Sequence, residues 1–553
     1  MNAVPRAVTE SRAVFFLLIA SLYATSIVVA SLTLHPYFAQ TWDVATFIHA
    51  ARTFTDAGCP FGLYAQSRAA QTWPYAYPPL HALVTTVALS LGDLVRVLPD
   101  YVWARVPPLL ADIGIAIVLH KIIAKKTGDE TLARVAAMLW LFNPITFYDT
   151  AVQGHFESEW ILCVLLAYFW FAEGRHIILP SIALALAVLF KQTAILFAIP
   201  LWIFLLKDES RKMKDENSSS SFTRSVHLSS LKQLAISLII FTFVVALVCL
   251  PFLLYSNDFI FMNLTYVENV PVQTQSWIVA LLGVTRDSST ALTSDFFLLR
   301  YQTLVTILAT VAIAFFAARR NFNLYLTATL IALAFFLTSK KVMGYYYVML
   351  FPFLLVELVP QRRWRLLFIT LVVTTWVSLS PYYASWTNHQ HWWIYALLGS
   401  LNSLFFLWLF VQLARDSSFR AETPALACGA SVSRFARNDS GEWLAVLGVN
   451  LGLFAAAFAS ALLQPLAQNN SSPIRAPILT PGTESMALAA FAGVIALILT
   501  VMLFGTRLVA NDRWRWRAEY TIALIFAPLF FSVYYLTKES TAVLETVLAF
   551  WGV

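Results

Sequence analysis

The chain has 553 residues, of which 59% are hydrophobic and only 12% charged, and its mean hydropathy is +0.70. A soluble domain carries about twice that charged fraction. The many apolar runs of helix-spanning length therefore exclude a soluble globular class, and the chain lacks the short alternating strands of a β-barrel. The formal charge of +7 and pI of about 9.1 would suit nucleic acid in a soluble protein. Here the basic residues sit in short connections between apolar runs, where they act as topology determinants facing cytoplasm and anionic lipid, and no nucleic-acid partner is expected. Cys59, Cys163, Cys249 and Cys428 are scattered and form neither a disulfide framework nor a metal-ligand pair.

The first predicted span is Val14 to Ser31, read as a retained helix rather than a signal peptide. Arg6 and Arg12 precede it, which places the N-terminus in the cytoplasm and the following segment outside. That segment carries Thr41-Trp42-Asp43-Val44, then the turn Gly58-Cys59-Pro60-Phe61-Gly62, then Tyr75-Ala76-Tyr77-Pro78-Pro79-Leu80. Leu80 to Leu98 is apolar enough to span, but counting it breaks the parity between an outer Asp43 and an inner Lys121. With Pro78-Pro79 before it and Gly92-Asp93 inside it, the run is read as re-entrant or interfacial.

The remaining runs alternate. Spans are predicted from Val106, Leu132, Trp160, Ile177, Ile195, Leu234, Leu304, Leu324, Tyr346, Leu366, Ile394, Trp443, Met486 and Tyr520. The fold class is thus all-α and polytopic, with about 15 spans (13 to 16 within the uncertainty of such boundaries) and a large first outer loop. On this map the 37 basic residues divide 26 inside to 11 outside. No internal repeat of clear period is visible. The organisation reads as a catalytic-type module over residues 1–360, further helices over 361–413, a polar cytoplasmic loop over 414–442, and C-terminal spans over 443–553.

The outer ends of the first ten or so spans collect Asp43, His49, Tyr75, Tyr77, Arg105, Asp112, Asp149, His155, Glu157, Glu159, Lys191, Gln192, Glu268, Gln273, Lys340 and Lys341. Ionisable groups at membrane depth cost roughly 2.5–3.5 kcal/mol each on insertion scales, so such a set marks a functional cavity. Cations at the interface suit a lipid phosphate. A carboxylate in a polar loop suits deprotonation of an attacking hydroxyl. Together they fit transfer from a lipid-phosphate carrier.

These residues resemble the GT-C integral-membrane glycosyltransferases, which use polyprenyl- or dolichyl-phosphate sugars. The resemblance rests on Asp43, Tyr77-Pro78-Pro79-Leu80 and Asp112, and on Asn143-Pro144, Gly154-His155-Phe156-Glu157 and Lys191-Gln192, which are similar to elements of the ALG-type glucosyltransferases. Trp42-Asp43 followed by Phe47 and Ala50-Ala51-Arg52 is similar to the GPI mannosyltransferase pattern. It covers roughly Val14 to Pro360. One departure stands out: where the family often carries Val-His-Glu-Lys or Val-His-Glu-Arg, this chain reads Lys341-Val342-Met343-Gly344-Tyr345.

The resemblance implies inverting transfer of a hexose, glucose or mannose, with no bound metal and no cofactor beyond the lipid-linked sugar donor. The acceptor is a lipid-linked glycan or another lipid. Asp43 is then the general base. Lys340, Lys341, Lys191 or Arg105 neutralises the departing phosphate, and His155, Glu157 and Gln192 orient hydroxyls, with Tyr77 also on the substrate side. The protein is expected in the cell membrane of a prokaryote or the endoplasmic reticulum membrane of a eukaryote, with its site on the extracytoplasmic side.

Plainer readings stand beside these. Asp43 also suits a helix N-cap before Val44. His155, Glu157 and Glu159 have the residue types of a cation site without its spacing, and Glu159 also suits a helix start. Lys340-Lys341 also suits a snorkelling pair. Asp112, seven residues after Arg105, is read as its ion-pair partner. The competing functions are a transporter or flippase for a lipid-linked sugar, which would show repeats and midplane polar residues, and an assembly factor with no chemistry.

Overall fold

A computed structural model describes residues 11–33, 42–56, 59–70, 73–215, 222–266, 274–283, 297–379, 392–416 and 442–468. The readings for Glu268, Gln273 and the spans predicted from Met486 and Tyr520 lie outside the described residues.

The chain is polytopic, and its described residues are all-α. Helix α1 is Arg12–Thr33, and α2, Trp42–Asp56, begins the segment predicted to be the first outer loop. A turn at Pro60–Gly62 leads to α3, Leu63–Ala70. Helix α4 is Leu80–Val95. Helices α5 (Val106–Thr127), α6 (Glu130–Leu141), α7 (Glu157–Ala172) and α8 (Ile178–Phe190) form the centre. Then come α9 (Ile195–Asp215), α10 (Phe222–Tyr255), α11 (Gln302–Arg320) and α12 (Leu324–Thr338). The described part ends with α13 (Phe351–Leu358), α14 (Trp364–Leu379), α15 (Trp392–Arg415) and α16 (Glu442–Gln468). Among the described residues, Arg12–Leu32, Asp100–Thr127, Leu231–Tyr255, Gln302–Arg320 and Glu442–Ala459 are long and apolar enough to cross a membrane, and six shorter apolar helices accompany them.

Local sequence explains the breaks. Asp129 accepts from the backbone N–H of Thr131 and Leu132 and starts α6, just after Gly128 ends α5 in the left-handed conformation. Asn143 caps a short restart whose first residue is Pro144, accepting from Ile145 at 2.8 Å. Asn143-Pro144 is therefore a helix-restart signal in this chain. The restart runs into a π-helical turn, Tyr148–Gln153, which Gly154 closes at φ +61°. Asp43 lies within the first turn of α2 rather than capping it, because the helix begins at Trp42.

The main core surrounds Trp140, Trp160, Tyr168, Tyr347 and Trp364, and a second cluster gathers Phe47, Tyr64, Tyr75, Phe156 and Phe252. Helix α12 is buried along nearly its whole length, whereas α10 exposes Ile239, Phe243 and Leu247 and α11 exposes Leu304, Leu308 and Phe315. Exposed apolar faces of that length belong against lipid tails. Helix α4 packs on α2 and α8 and exposes Val87, Leu91 and Leu94. Helix α16 is anchored to the central helices: Asn450 Nδ2 donates to the Phe142 carbonyl at 2.9 Å.

One end of the bundle holds a network of charges from connections predicted to be cytoplasmic. Arg12 meets Glu130 at 2.9 Å, His120 meets Glu130 at 2.9 Å, Lys126 meets Glu357 at 3.0 Å and Arg362 meets Asp129 at 3.6 Å. The residues singled out as a site gather at the ends of helices far from this network.

Candidate functional site

The site is built around the start of α7. Glu157 and Glu159 occupy its first turn, where the helix dipole favours carboxylates, and both are buried with His155, Phe156 and Ser158. Glu157 receives the Lys191 ammonium on Oε1 and the Trp160 indole N–H on Oε2 at 2.6 Å. His155 Nδ1 lies 3.3 Å from Glu157 Oε1, an ion-pair distance without hydrogen-bond alignment. His81, from α4, meets Glu159 Oε2 at 2.9 Å.

Aromatic rings enclose these charges. His81 stacks on Phe156 at 3.9 Å, Phe156 lies parallel to His155 at 4.9 Å, and His155 stacks on Tyr345 at 4.0 Å. Tyr77 OH stands 3.5 Å from His155 Nε2. The strap carrying Tyr77 is fixed from several directions. Tyr64 OH donates to the Tyr77 carbonyl at 2.7 Å, Tyr75 OH to the Pro78 carbonyl at 3.0 Å, and Gln192 Nε2 to the Ala76 carbonyl at 2.9 Å and the Asn263 carbonyl at 3.3 Å. Gln192 thus supports the strap.

Asp43 reaches this cluster through α2. Phe47, one turn on, packs edge-on against His155 at 5.6 Å and Tyr77 at 6.0 Å. Asp43 is partly exposed. Desolvation raises the Tyr77 hydroxyl well above its ordinary value, with Tyr346 and then the Asp43 and Glu157 carboxylates adding to it. Burial raises Tyr266 in the same direction, again with Asp43 adding. Burial also holds the His155 imidazole below its ordinary value, against the pull of Glu157, so this imidazole is neutral at pH 7.

The other anticipated residues fall as follows. Arg105 is buried and donates to backbone carbonyls, Nη1 to Tyr101 at 2.7 Å and Nε to Ala151 at 2.9 Å. It therefore clamps the π-helical turn. The expected Arg105–Asp112 ion pair does not form. Asp112 instead accepts from Tyr23 and Thr150, each at 2.7 Å, and from Ser158. Three hydroxyl donors satisfy a buried carboxylate without a cation. Lys340 is buried and Lys341 half-buried, both in the connection after α12. His49 is exposed and stacks on Trp73. Asp149 is fully buried, and neither carboxyl oxygen has a hydrogen-bond partner. Among the described residues, no group of three or more His, Cys, Asp or Glu side chains is arranged to hold a metal ion.

The sequence reading missed His81, Tyr266, Tyr345 and Tyr346. The signal for two of them was the aromatic run Tyr345-Tyr346-Tyr347, which begins four residues after Lys341.

The chain matches the family model described as GPI transamidase subunit PIG-U over residues 71–281, less than half its length. That stretch includes Tyr77, Arg105, His155, Glu157, Lys191 and Gln192 but not Asp43, Lys340 or Lys341. The chain is also 30% identical over 204 residues to GPI mannosyltransferase 1 of Dictyostelium discoideum, covering 35% of this chain and 42% of the relative. The chain thus spans well under half the length of the curated relative it matches. Comparison with solved structures finds ArnT from Cupriavidus metallidurans bound to undecaprenyl phosphate. The TM-score is 0.39 at 15% identity, covering 95% of this chain and 77% of that one. The mannosyltransferase likeness agrees with the resemblance to GT-C membrane glycosyltransferases read from the motifs.

Proposed function

We propose that the protein is a membrane glycosyltransferase that moves a hexose, glucose or mannose, from a polyprenyl-phosphate carrier to a lipid-linked acceptor at the extracytoplasmic face. The observation that carries this reading is the setting of Asp43. It is a partly exposed carboxylate in the first turn of α2, and Phe47 in the same helix packs on Tyr77 and His155. An accessible carboxylate beside phenols and a neutral imidazole suits a base that takes the acceptor hydroxyl's proton while other groups orient the sugar.

In this mechanism the acceptor oxygen attacks the anomeric carbon, its proton passes to Asp43, and the carbon–phosphate-oxygen bond breaks. The departing lipid phosphate takes the bonding pair. Half-buried Lys341 and its neighbour Lys340 are assigned to that phosphate, a charge that Lys stabilises as a point cation. The mannosyltransferase named among the relatives supports the reaction class.

The test is transfer from synthetic polyprenyl-phosphate-mannose and polyprenyl-phosphate-glucose by the protein in nanodiscs. Asn at position 43 keeps the shape of Asp and cannot accept the proton, so Asp43→Asn is expected to lower turnover by about 100-fold or more. Turnover close to wild type would remove Asp43 as the base.

A second reading is supported by the family model, whose description names a transamidase subunit: a non-catalytic membrane subunit. It is favoured if no donor sugar is consumed and the protein is recovered only in a larger membrane complex. A flippase is favoured if lipid-linked sugar crosses the bilayer unconsumed.

A further inference from the structure

Lys191 stands where a phosphate ligand would be sought, at the end of an apolar helix beside the site. Its geometry is that of an internal counter-ion. The residue leaves α8 in an extended conformation, φ −150° and ψ 126°, and its side chain is only 3% exposed. The ammonium contacts Glu157 Oε1, lies 4.0 Å from the Tyr346 ring centroid, and is 5.8 Å from the centroids of Tyr77, Phe156 and Tyr345.

Those four rings come from three separate pieces of chain: the Tyr77 strap, the start of α7, and the turn Gly344–Leu350. An ammonium surrounded by ring faces within about 6 Å is held by their quadrupoles, and the attraction is strongest where water is excluded. Glu157, already bound to Trp160, supplies the opposing charge. A phosphate reaching Nζ would have to displace Glu157 or the Tyr346 ring.

We propose that Lys191 is a positioning residue that never touches the lipid phosphate: its ammonium gathers Tyr77 and Tyr345, and through Glu157 the His155 ring, into the wall against which the first turns of α2 pack. This inference rests on the transferase reading above and assigns the phosphate elsewhere.

The test uses the full chain in nanodiscs with polyprenyl-phosphate-mannose or polyprenyl-phosphate-glucose as donor. It compares wild type, Lys191→Gln, and the charge-neutral pair Lys191→Gln with Glu157→Gln. Turnover is measured together with competitive inhibition by the product, polyprenyl phosphate. Lys191→Gln strands the Glu157 charge and is expected to lower turnover 100-fold or more. The double variant removes both charges of the Lys191–Glu157 pair and is expected to recover at least tenfold over the single variant, with product inhibition within threefold of wild type. Should the single variant fail to fold, the product inhibition of the double variant still reads phosphate contact. An active wild type whose double variant binds product tenfold more weakly, or recovers no turnover over a folded single variant, overturns the Lys191 assignment alone. A wild type that transfers neither sugar removes the transferase reading, and this assignment with it.

Discussion

The rings of His155 and Tyr345 lie nearly parallel, 23° apart, with centroids 4.0 Å from each other. One belongs to the turn before α7, the other to the turn that follows Lys340-Lys341, nearly two hundred residues later. The contact joins the buried His155–Glu157–Lys191 group to the segment where this chain departs from the Val-His-Glu pattern. A stacked aromatic pair contributes about 0.5–1.5 kcal/mol beyond its area, which corresponds to roughly a two- to tenfold effect if it is expressed in turnover. Tyr345→Leu is therefore expected to lower turnover several-fold, whereas Tyr345→Phe keeps the stack and stays near wild type. Equal losses in both variants would assign the role to the hydroxyl instead.

Gly154 is required by backbone and by space. Its φ is +61°, and a Cβ placed there would meet Val44 and, at 3.1 and 3.2 Å, the Arg105 guanidinium. The left-handed conformation alone costs a non-glycine residue about 1–2 kcal/mol. Because Val44 adjoins Asp43, the displacement falls on the proposed base. Gly154→Ala is expected to lower the unfolding temperature by several degrees and to lower turnover more than a control of equal stability loss in α16. A loss of activity no greater than that control would detach Gly154 from the site.

Asp112 and Asp149 are the same residue type and are equally buried, yet their settings are opposite. Asp112 takes three hydroxyl donors from α1, the π-helical turn and α7, while neither carboxyl oxygen of Asp149 has a partner. Truncating either leaves a cavity of similar size, but only Asp112→Ala strands Tyr23, Thr150 and Ser158. At about 1–3 kcal/mol for each buried group left unmatched, Asp112→Ala is expected to cost about 3 kcal/mol or more beyond Asp149→Ala. Thermal unfolding in one detergent measures the difference. Equal losses would mean that Asp149 has a partner the protein depends on.

This pair also shows where the sequence was legible. Apolar periodicity and the placement of Lys and Arg led to an all-α polytopic fold, because lipid requires every backbone group to be satisfied within a helix. The polar residues near helix ends were visible for the same reason, since charge in an apolar context is conspicuous. What stayed hidden was partnership. Arg105 and Asp112, two helical turns apart, looked like a pair, but the guanidinium was drawn to the carbonyls that a π-helical turn exposes. Nothing in the run Tyr148 to Gln153 announces that turn. His81 and Tyr345 read as ordinary members of apolar runs, and their meeting with Glu159 and His155 depends on the packing of elements distant in sequence.

The segment between α1 and α4 is tied to the end of α10 by Arg68, whose Nη1 meets Asp258 Oδ1 at 2.6 Å and whose guanidinium carbon lies 3.8 Å from the centre of the Phe261 ring. Hydrogen bonds from Ser256 and then Arg68 hold the Asp258 carboxyl below its ordinary value. A carboxyl with a depressed folded-state value stabilises the fold above its unfolded value, near 3.8, and that contribution is lost as pH falls through the lower folded value. The pair is largely solvated, so its contribution at pH 7 is at the surface scale of about 0.2–1 kcal/mol after screening. Arg68→Gln is thus expected to lower the unfolding temperature slightly and by the same amount at pH 7 and pH 5. Below pH 3 the gap narrows to what the ring contact alone supplies. Unfolding curves of both proteins across that range measure it. A gap that was undiminished below pH 3 would place the Arg68 contribution in the Phe261 contact and not in Asp258.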